Sequence, residues 1–449
     1  MNDKEILISD TNQTPSAGGR NKQRPAPGSA QADIEAVMPR PPIDKQIWGI
    51  YILLVCISLI ELYSASSREV SEGNIFGPLL RHAMLLGVGF IIMIVMQRIH
   101  YNRIGKLTYV IVGLSVLATI YTIFFGSVIN GARRSFSLMG VSVQPSELIK
   151  LSAALLIAWV LSKAQIKGKV DVTRRAVTEV AVIVLIFGML LINQGLTNTL
   201  LLMAISISMM AIGGVGWKKL GIVLAIYVGM GCCYGVYKFM AHGSEPEKKE
   251  LKAGVEQDRT AIRANRLSNF FTSDKYKEPI TSDNQQEQYS FIAQANGGII
   301  GVGPGNSRET ARLPLAFSDY IYAIVIEDMG LIGGLFVMIL YLWLLARAGV
   351  IASRCKKAYP ALLVIGMAVF IVFQALFHMA IVTGVFPVSG QPLPLISKGG
   401  SSVIITSFAL GIMLSVSRYA ARKGRKQQIK DELTTLSDVP TADNPLEVK

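Results

Sequence analysis

The stretch NGARRSFSLMGVSVQPSELIKL, residues 130–151, decides how this chain is read. It links the apolar run at 105–126 to the start of the next, at 145–163, and it holds Arg133, Arg134, Glu147 and Lys150 within a few turns of one another. A charge at the depth of a bilayer is costly unless it is paired or faces a polar cavity. These groups are therefore expected to hold something.

Working outward, the 449 residues are 51% hydrophobic and only 16% charged, where a soluble protein carries about a quarter charged residues. Segments of about twenty apolar residues, enough to cross the hydrocarbon core as a helix, make up the difference. They fall at 47–65, 79–97, 105–126, 145–163, 176–193, 198–215, 219–240, 319–346, 359–385 and 402–420. The expected fold is an all-α polytopic membrane protein with about ten transmembrane helices. Residues 1–46 are polar and rich in Pro, Gly and Ala, which reads as a disordered tail rather than a signal peptide. Residues 421–449 read as a second tail, leaving 47–420 as the membrane domain.

Orientation follows from basic residues in short connections. The N-tail, the segments around Arg98 to Lys106, Lys163 to Arg175, Lys218 and Lys219, Arg354 to Lys357, and the C-tail are basic; the alternate connections are not. Both termini are therefore placed in the cytoplasm. The net charge of +14 is mostly this signal plus attraction to anionic lipid. A nucleic-acid role would need an exposed basic face with interleaved aromatics, which is missing. Residues 127–146, 241–318 and 386–401 then fall on the outer side, and 241–318 is too long for a passive connector.

Cys56, Cys232, Cys233 and Cys355 have neither metal-ligand nor disulfide spacing, and the four histidines are scattered. No zinc, haem or iron–sulfur site is expected. Three outer stretches carry candidate chemistry. In the first, Gln144-Pro145-Ser146-Glu147 reads as a helix start, and Glu147 and Lys150 share a helix face. Arg133, Arg134 and Lys150 suit an anionic headgroup or a pyrophosphate. The second, in the large loop, holds Asp274, Glu278, Asp283 and Glu287 before the glycine-rich GGIIGVGPGNS, residues 297–307. The third is FPVSGQPLPLISKGGSS, residues 386–402, whose prolines forbid a regular helix. Irregular backbone near membrane depth is tolerated inside protein or beside a wet cavity. Ser401 and Ser402 open the last helix there, a place where free backbone N–H groups can meet an anion.

In their order and spacing these stretches resemble the SEDS family of bacterial cell-wall polymerases. The first is similar to the family's NGA-x-RW…QPSE-x-x-K, the third to its LP-x-TG-x-x-LPLIS-x-GGSS. GGIIGVGPGNS with FSDYIYAIVIEDMGLIGG resembles GG-x-x-G-x-G-x-G-x-S…TDFIFA-x-x-x-EE-x-G. The likeness covers about 47–418. It implies a peptidoglycan glycosyltransferase that polymerises lipid II at the outer face of the cytoplasmic membrane and releases undecaprenyl pyrophosphate. By the same resemblance Asp283, six residues before Tyr289 in DNQQEQY, takes the place of the family's proposed catalytic acid, although the surrounding Pro and Gly differ. Arg134 and Lys150 match positions implicated in substrate use, with Arg133 beside them. Glu147 would orient Lys150, and Gln144, Ser401, Ser402 and Lys398 complete the substrate-binding candidates. The family's Trp, Tyr and ninth-span Asn are here Ser135, Lys398 and His378, and its PD-x-GT reads Gln194 to Asn198 with no acid.

A divalent cation, Mg or Mn, would suit the departing pyrophosphate. The implied partners are a class B penicillin-binding protein (the transpeptidase) and other divisome proteins. The long N-tail favours the family's division role over its elongation role. The rival readings are a lipid II flippase and a non-enzymatic scaffold; a pump would spread ionisable groups through the membrane depth, where Glu61, Glu179 and Glu327 are sparse candidates.

Overall fold

The computed structural model describes residues 43–66, 76–129, 132–138, 141–165, 171–192, 194–242, 279–281, 284–313 and 316–437. Both expected tails beyond these limits, and Asp283 with most of the 241–318 loop, lie outside the described residues. The helices α1 (Lys45–Ser66), α2 (Phe76–Arg98) and α3 (Tyr101–Phe125) come first. Three short strands follow: β1 (Ser127–Ile129), β2 (Ala132–Leu138) and β3 (Val141–Val143). Then come α4 (Pro145–Lys163), α5 (Arg174–Ile192), α6 (Leu196–Ile212), α7 (Trp217–His242) and α8 (Gln285–Gly297). The chain continues with α9 (Ile321–Ser353), α10 (Ala358–Val382) and α11 (Gly400–Ser437).

Each of the ten expected apolar segments is a helix. Eight helices among the described residues, α1 to α5 and α9 to α11, are long and apolar enough to cross a membrane. The α6 helix is shorter, at 17 residues, a rise of about 25 Å where the hydrocarbon core is about 30 Å. Its start at Gln194–Gly195 therefore falls inside the bundle. Two helices outrun their expected ends. The α9 helix reaches Ser353, and α11 continues past 420 through Lys, Arg, Gln and Glu, all good helix formers.

The centre of the bundle is α4, α10 and α11. Their spans are 78%, 72% and 78% buried, against 28% and 22% for α2 and α3, whose apolar side chains are left for lipid. The helices pair as α9 with α10, α10 with α4, α4 with α3 and α5 with α6.

The helical expectation holds, and among the described residues a short sheet is inserted at 127–143. There β1, β2 and β3 form an antiparallel meander, with Val128 opposite Arg133 and Phe136 opposite Val143. Serine alternates with Phe, Leu and Val in this stretch, a period of two that suits a half-covered strand. Phe136 packs edge-on against Tyr121 of α3, with ring centroids 5.4 Å apart.

At the same end of the bundle the glycine-rich loop locks into a break in α9. Gly330 has φ 72°, which interrupts the helix. Val302 and Gly303 donate their N–H groups to the carbonyls of Glu327 and Asp328 at 2.9 and 3.0 Å, and Leu331 donates to Gly298 at 3.0 Å. Side chains close the lock. Glu327 accepts from Ser307 Oγ at 2.5 Å and from Arg308 N at 2.9 Å. Ser64 of α1 donates to Asp328 and accepts from Gly305 N at 2.8 Å. Gly301 has φ 90°, and a Cβ there would sit 2.3 Å from the Asp328 carbonyl oxygen. Gly301→Ala is expected to cost at least about 2 kcal/mol, read as a lower unfolding temperature in detergent.

The opposite end is tied by Asp44, which caps α1. Arg347 of α9 donates to its carboxylate through Nε at 3.0 Å and Nη2 at 2.9 Å, and Ser417 of α11 donates at 3.0 Å. Burial pushes the Asp44 carboxyl up, but the hydrogen bonds from Arg347 and Ser417 and the guanidinium charge outweigh it. The carboxyl is held below its ordinary value. A carboxyl lowered by folding contributes stability above its unfolded pKa and loses it as pH falls through the folded one. Asp44→Ala leaves Arg347 largely buried without its partner and is expected to cost about 3 kcal/mol. The wild type should lose stability on acidification below about pH 4 by an increment the variant lacks, as thermal melts across pH will show.

Candidate active site

Pro145 at the first position of α4 leaves no unsatisfied N–H there and sets the helix entry. The N–H of the capping residue Gln144 donates to Ser401 Oγ, at the start of α11, at 3.2 Å. That contact brings two helix starts together, so that Glu147, in the first turn of α4, meets Ser401. Ser401 Oγ donates to Glu147 Oε2 at 3.1 Å, and Gln374 of α10 donates from Nε2 to Glu147 Oε1 at 3.1 Å. One turn further on, Lys150 Nζ donates to Gln391 Oε1 at 3.2 Å.

Gln391 belongs to the proline-containing segment between α10 and α11, and it is held from two other sides. Its Nε2 donates to Asn198 Oδ1 of α6 at 3.0 Å. His378 of α10 donates from Nδ1 to the Gln391 carbonyl at 2.6 Å; a carbonyl only accepts, so Nδ1 carries the proton. Gln374 also reaches the Pro392 carbonyl, at 3.4 Å. Four helices and the irregular segment thus converge on one carboxylate and one ammonium at the centre of the bundle. The segment itself is fixed by Leu393 N–H to Ser397 Oγ at 2.7 Å and by Ser397 Oγ to the Ser318 carbonyl at 2.7 Å. This is irregular backbone buried in protein, the setting in which it is tolerated at depth.

Lys150 is 0% exposed and Glu147 1%. The two do not form an ion pair within 4 Å among the described residues; the ammonium bonds to Gln391 instead. The Glu147 carboxyl group is hydrogen-bonded to one neutral amide and one hydroxyl, and the Lys150 amine to one neutral amide, so the first partner of neither is the other. A buried ammonium with three donors and one acceptor is suited to take oxygens from an anionic ligand. Ser402 is buried next to Ser401.

The other candidates are placed as follows. Arg133 and Arg134 lie on β2, Arg133 across from Val128; their side chains and Asp283 lie outside the described residues. Immediately after Asp283, Asn284 is buried and fastens its own turn, accepting from Thr281 N at 2.7 Å and donating to the Pro279 carbonyl at 3.0 Å. The α8 helix that follows docks on the end of α10 through Ser290 and Gln294, which donate to the Val382 carbonyl at 3.0 and 2.9 Å. Lys398 is exposed, its Nζ 5.2 Å from the Phe317 ring centroid, and takes no part in the cluster. Glu179 is an exposed helix-face partner of Arg175. Glu327 braces the glycine-rich loop, and Glu61 is buried with neither carboxyl oxygen hydrogen-bonded among the described residues.

With this geometry in view, a family model described as a cell cycle protein, FtsW/RodA/SpoVE, matches residues 44–422. The chain belongs to this family. Among its relatives, the probable peptidoglycan glycosyltransferase FtsW of Geobacter metallireducens is 30% identical over 374 residues, covering 82% of this chain and 92% of that one. A chain solved in a study of polymerisation and crosslinking by a peptidoglycan synthase complex superposes with a TM-score of 0.63 at 24% identity, covering 84% of this chain and 98% of that one. The rod shape determining protein RodA of Thermus thermophilus superposes at 0.56 with 22% identity, covering 84% and 97%. These superpositions show a multi-pass membrane fold of the family's kind.

Sequence reasoning singled out Glu147, Lys150 and Ser401, which the structure brings into one cluster. It missed Gln374, Gln391 and Asn198 as members of the same cluster. The available signal was the amide side chain within an otherwise apolar run, which at membrane depth needs a partner.

Proposed function

We propose that this chain is a peptidoglycan glycosyltransferase that joins lipid II into glycan strands. The observation that carries the reading is the convergence of Glu147, Lys150 and Ser401, drawn from two separate family motifs, into one buried hydrogen-bonded cluster. The names of the relatives support the same activity.

In the reaction a hydroxyl oxygen of the acceptor sugar attacks the anomeric carbon of the donor. Asp283 takes the hydroxyl proton as general base. The bond from the anomeric carbon to the phosphate oxygen breaks, and the pyrophosphate leaves with the bonding electrons on its lipid carrier. Lys150, with Arg133 and Arg134, stabilises the charge that develops on the leaving oxygens. Glu147, held by Ser401 and Gln374, keeps the centre near neutrality when no anion is bound. Among the described residues no group of three His, Cys, Asp or Glu side chains is arranged to hold a metal ion; a Mg or Mn ion would arrive with the pyrophosphate.

In this reading both termini are cytoplasmic, and the sheet, the glycine-rich loop and residues 386–401 lie on the outer side of the bacterial cytoplasmic membrane, which the basic short connections support. Septal synthesis, with a class B penicillin-binding protein as partner and other divisome proteins around it, is the setting that the family resemblance implies, and a structural neighbour studied in a peptidoglycan synthase complex is in keeping with a partner. The test is formation of glycan strands by the purified protein supplied with lipid II, with and without the transpeptidase. Strands support the reading; lipid II left unreacted with the transpeptidase present overturns it.

A further inference from the structure

Lys150 is the charged group on which the proposed chemistry leans, and its described hydrogen bond goes to Gln391 rather than to Glu147 one turn away. Gln391 is 2% exposed and every polar atom of its side chain is used: Oε1 by Lys150, Nε2 by Asn198. Its backbone carbonyl is taken by His378, and the next carbonyl, of Pro392, by Gln374. A glutamine fixed at both ends of its amide has one orientation open to it, with the oxygen facing the ammonium. Reversing the amide would set an N–H against Lys150 and leave the Asn198 oxygen facing another oxygen. The amide therefore aims Nζ along one direction and leaves two of its three N–H donors uncommitted among the described residues.

We propose that Gln391 is a positioning residue: with Asn198 and His378 it holds the Lys150 ammonium off Glu147 and presents its remaining donors to the oxygens of the departing pyrophosphate. The proposal rests on the glycosyltransferase reading and adds to it a residue whose own chemistry is neutral. Direct pairing of Lys150 with Glu147 would neutralise the cation and turn its donors toward the carboxylate. A neutral acceptor fixes the cation without cancelling it. Asn198 acts one step further out, through the Gln391 amide alone.

The test uses the full-length protein in detergent, with lipid II as substrate. Gln391→Leu has similar size but no acceptor. A hydrogen bond to a charged group contributes about 1.5–3 kcal/mol, so kcat should fall about 10- to 100-fold, while KM for lipid II changes much less. The basic limb of the pH–rate profile should move to lower pH, because the acceptor that favoured the charged amine is gone. Gln391→Glu restores an acceptor and should move that limb to higher pH. Asn198→Ala frees the amide without touching Lys150 and should shift the limb in the Leu direction by a smaller amount. A purely structural role would lower the unfolding temperature and leave the limb in place. The proposal is overturned if wild-type protein polymerises lipid II and the basic limb is the same in all three variants, or if Gln391→Leu keeps wild-type kcat. A wild type that forms no strands in the presence of its transpeptidase defeats the underlying reading instead.

Discussion

Lys150→Met is expected to lower glycan-strand formation from lipid II by about 10²- to 10³-fold, the usual consequence of removing one group that stabilises developing negative charge. The variant separates function from stability. Methionine keeps most of the length and apolar stem of lysine, and the side chain it replaces is 0% exposed. A buried ammonium has surrendered several kcal/mol of hydration, and its hydrogen bond to the neutral Gln391 returns only part of that. Leaving Gln391 Oε1 without a donor costs about 1–3 kcal/mol, the smaller quantity. Removing the ammonium also leaves the buried Glu147 without its nearby cation, which offsets that gain, so the unfolding temperature of Lys150→Met should stay close to wild type while activity collapses. A fall in both together would make Lys150 a packing element. Unchanged activity would remove it from the chemistry.

Asp283→Asn is the second large effect. Loss of a general base lowers turnover by about 10²- to 10⁴-fold, and asparagine keeps the shape while removing the proton acceptor. The flanking turn is held by Asn284 through Thr281 and Pro279. The substitution should thus leave the unfolding temperature unchanged. It should also leave lipid II binding close to wild type, since a base acts on the acceptor hydroxyl and not on the pyrophosphate. Lys150→Met should weaken binding as well as turnover. That contrast assigns Asp283 to the bond that forms and Lys150 to the bond that breaks.

The helices were legible because a membrane span is a one-dimensional signal: about twenty apolar residues, with basic residues between alternate pairs. The end of α11 was not legible, because its last turns carry Lys, Arg, Gln and Glu, and an apolar window sees only the part that meets lipid. The sheet at 127–143 was hidden for a related reason. Strands of three residues, such as Val141–Val143, carry too few side chains for alternation to stand out until Tyr121 and Phe136 are seen to pack.

The site divides in the same way. Glu147 and Lys150 are neighbours on one helix face, so their association could be read from spacing alone. Ser401 entered through a motif. Asn198 is far in sequence from Gln374 and Gln391, and only the crossing of α4, α6 and α10 brings these three amides into one cluster with the two charged side chains. Glu327 and Asp328 show a third case. Their motif was readable, but their work in bracing the glycine-rich loop required Ser64 from the first helix, 264 positions away from Asp328.

The most direct measurement is a single-turnover experiment with labelled lipid II and full-length protein with its transpeptidase, following bound lipid and released undecaprenyl pyrophosphate together. The account predicts that wild type binds and releases, Asp283→Asn binds without release, and Lys150→Met does neither at wild-type levels. Pyrophosphate release at the wild-type rate by either variant would contradict it.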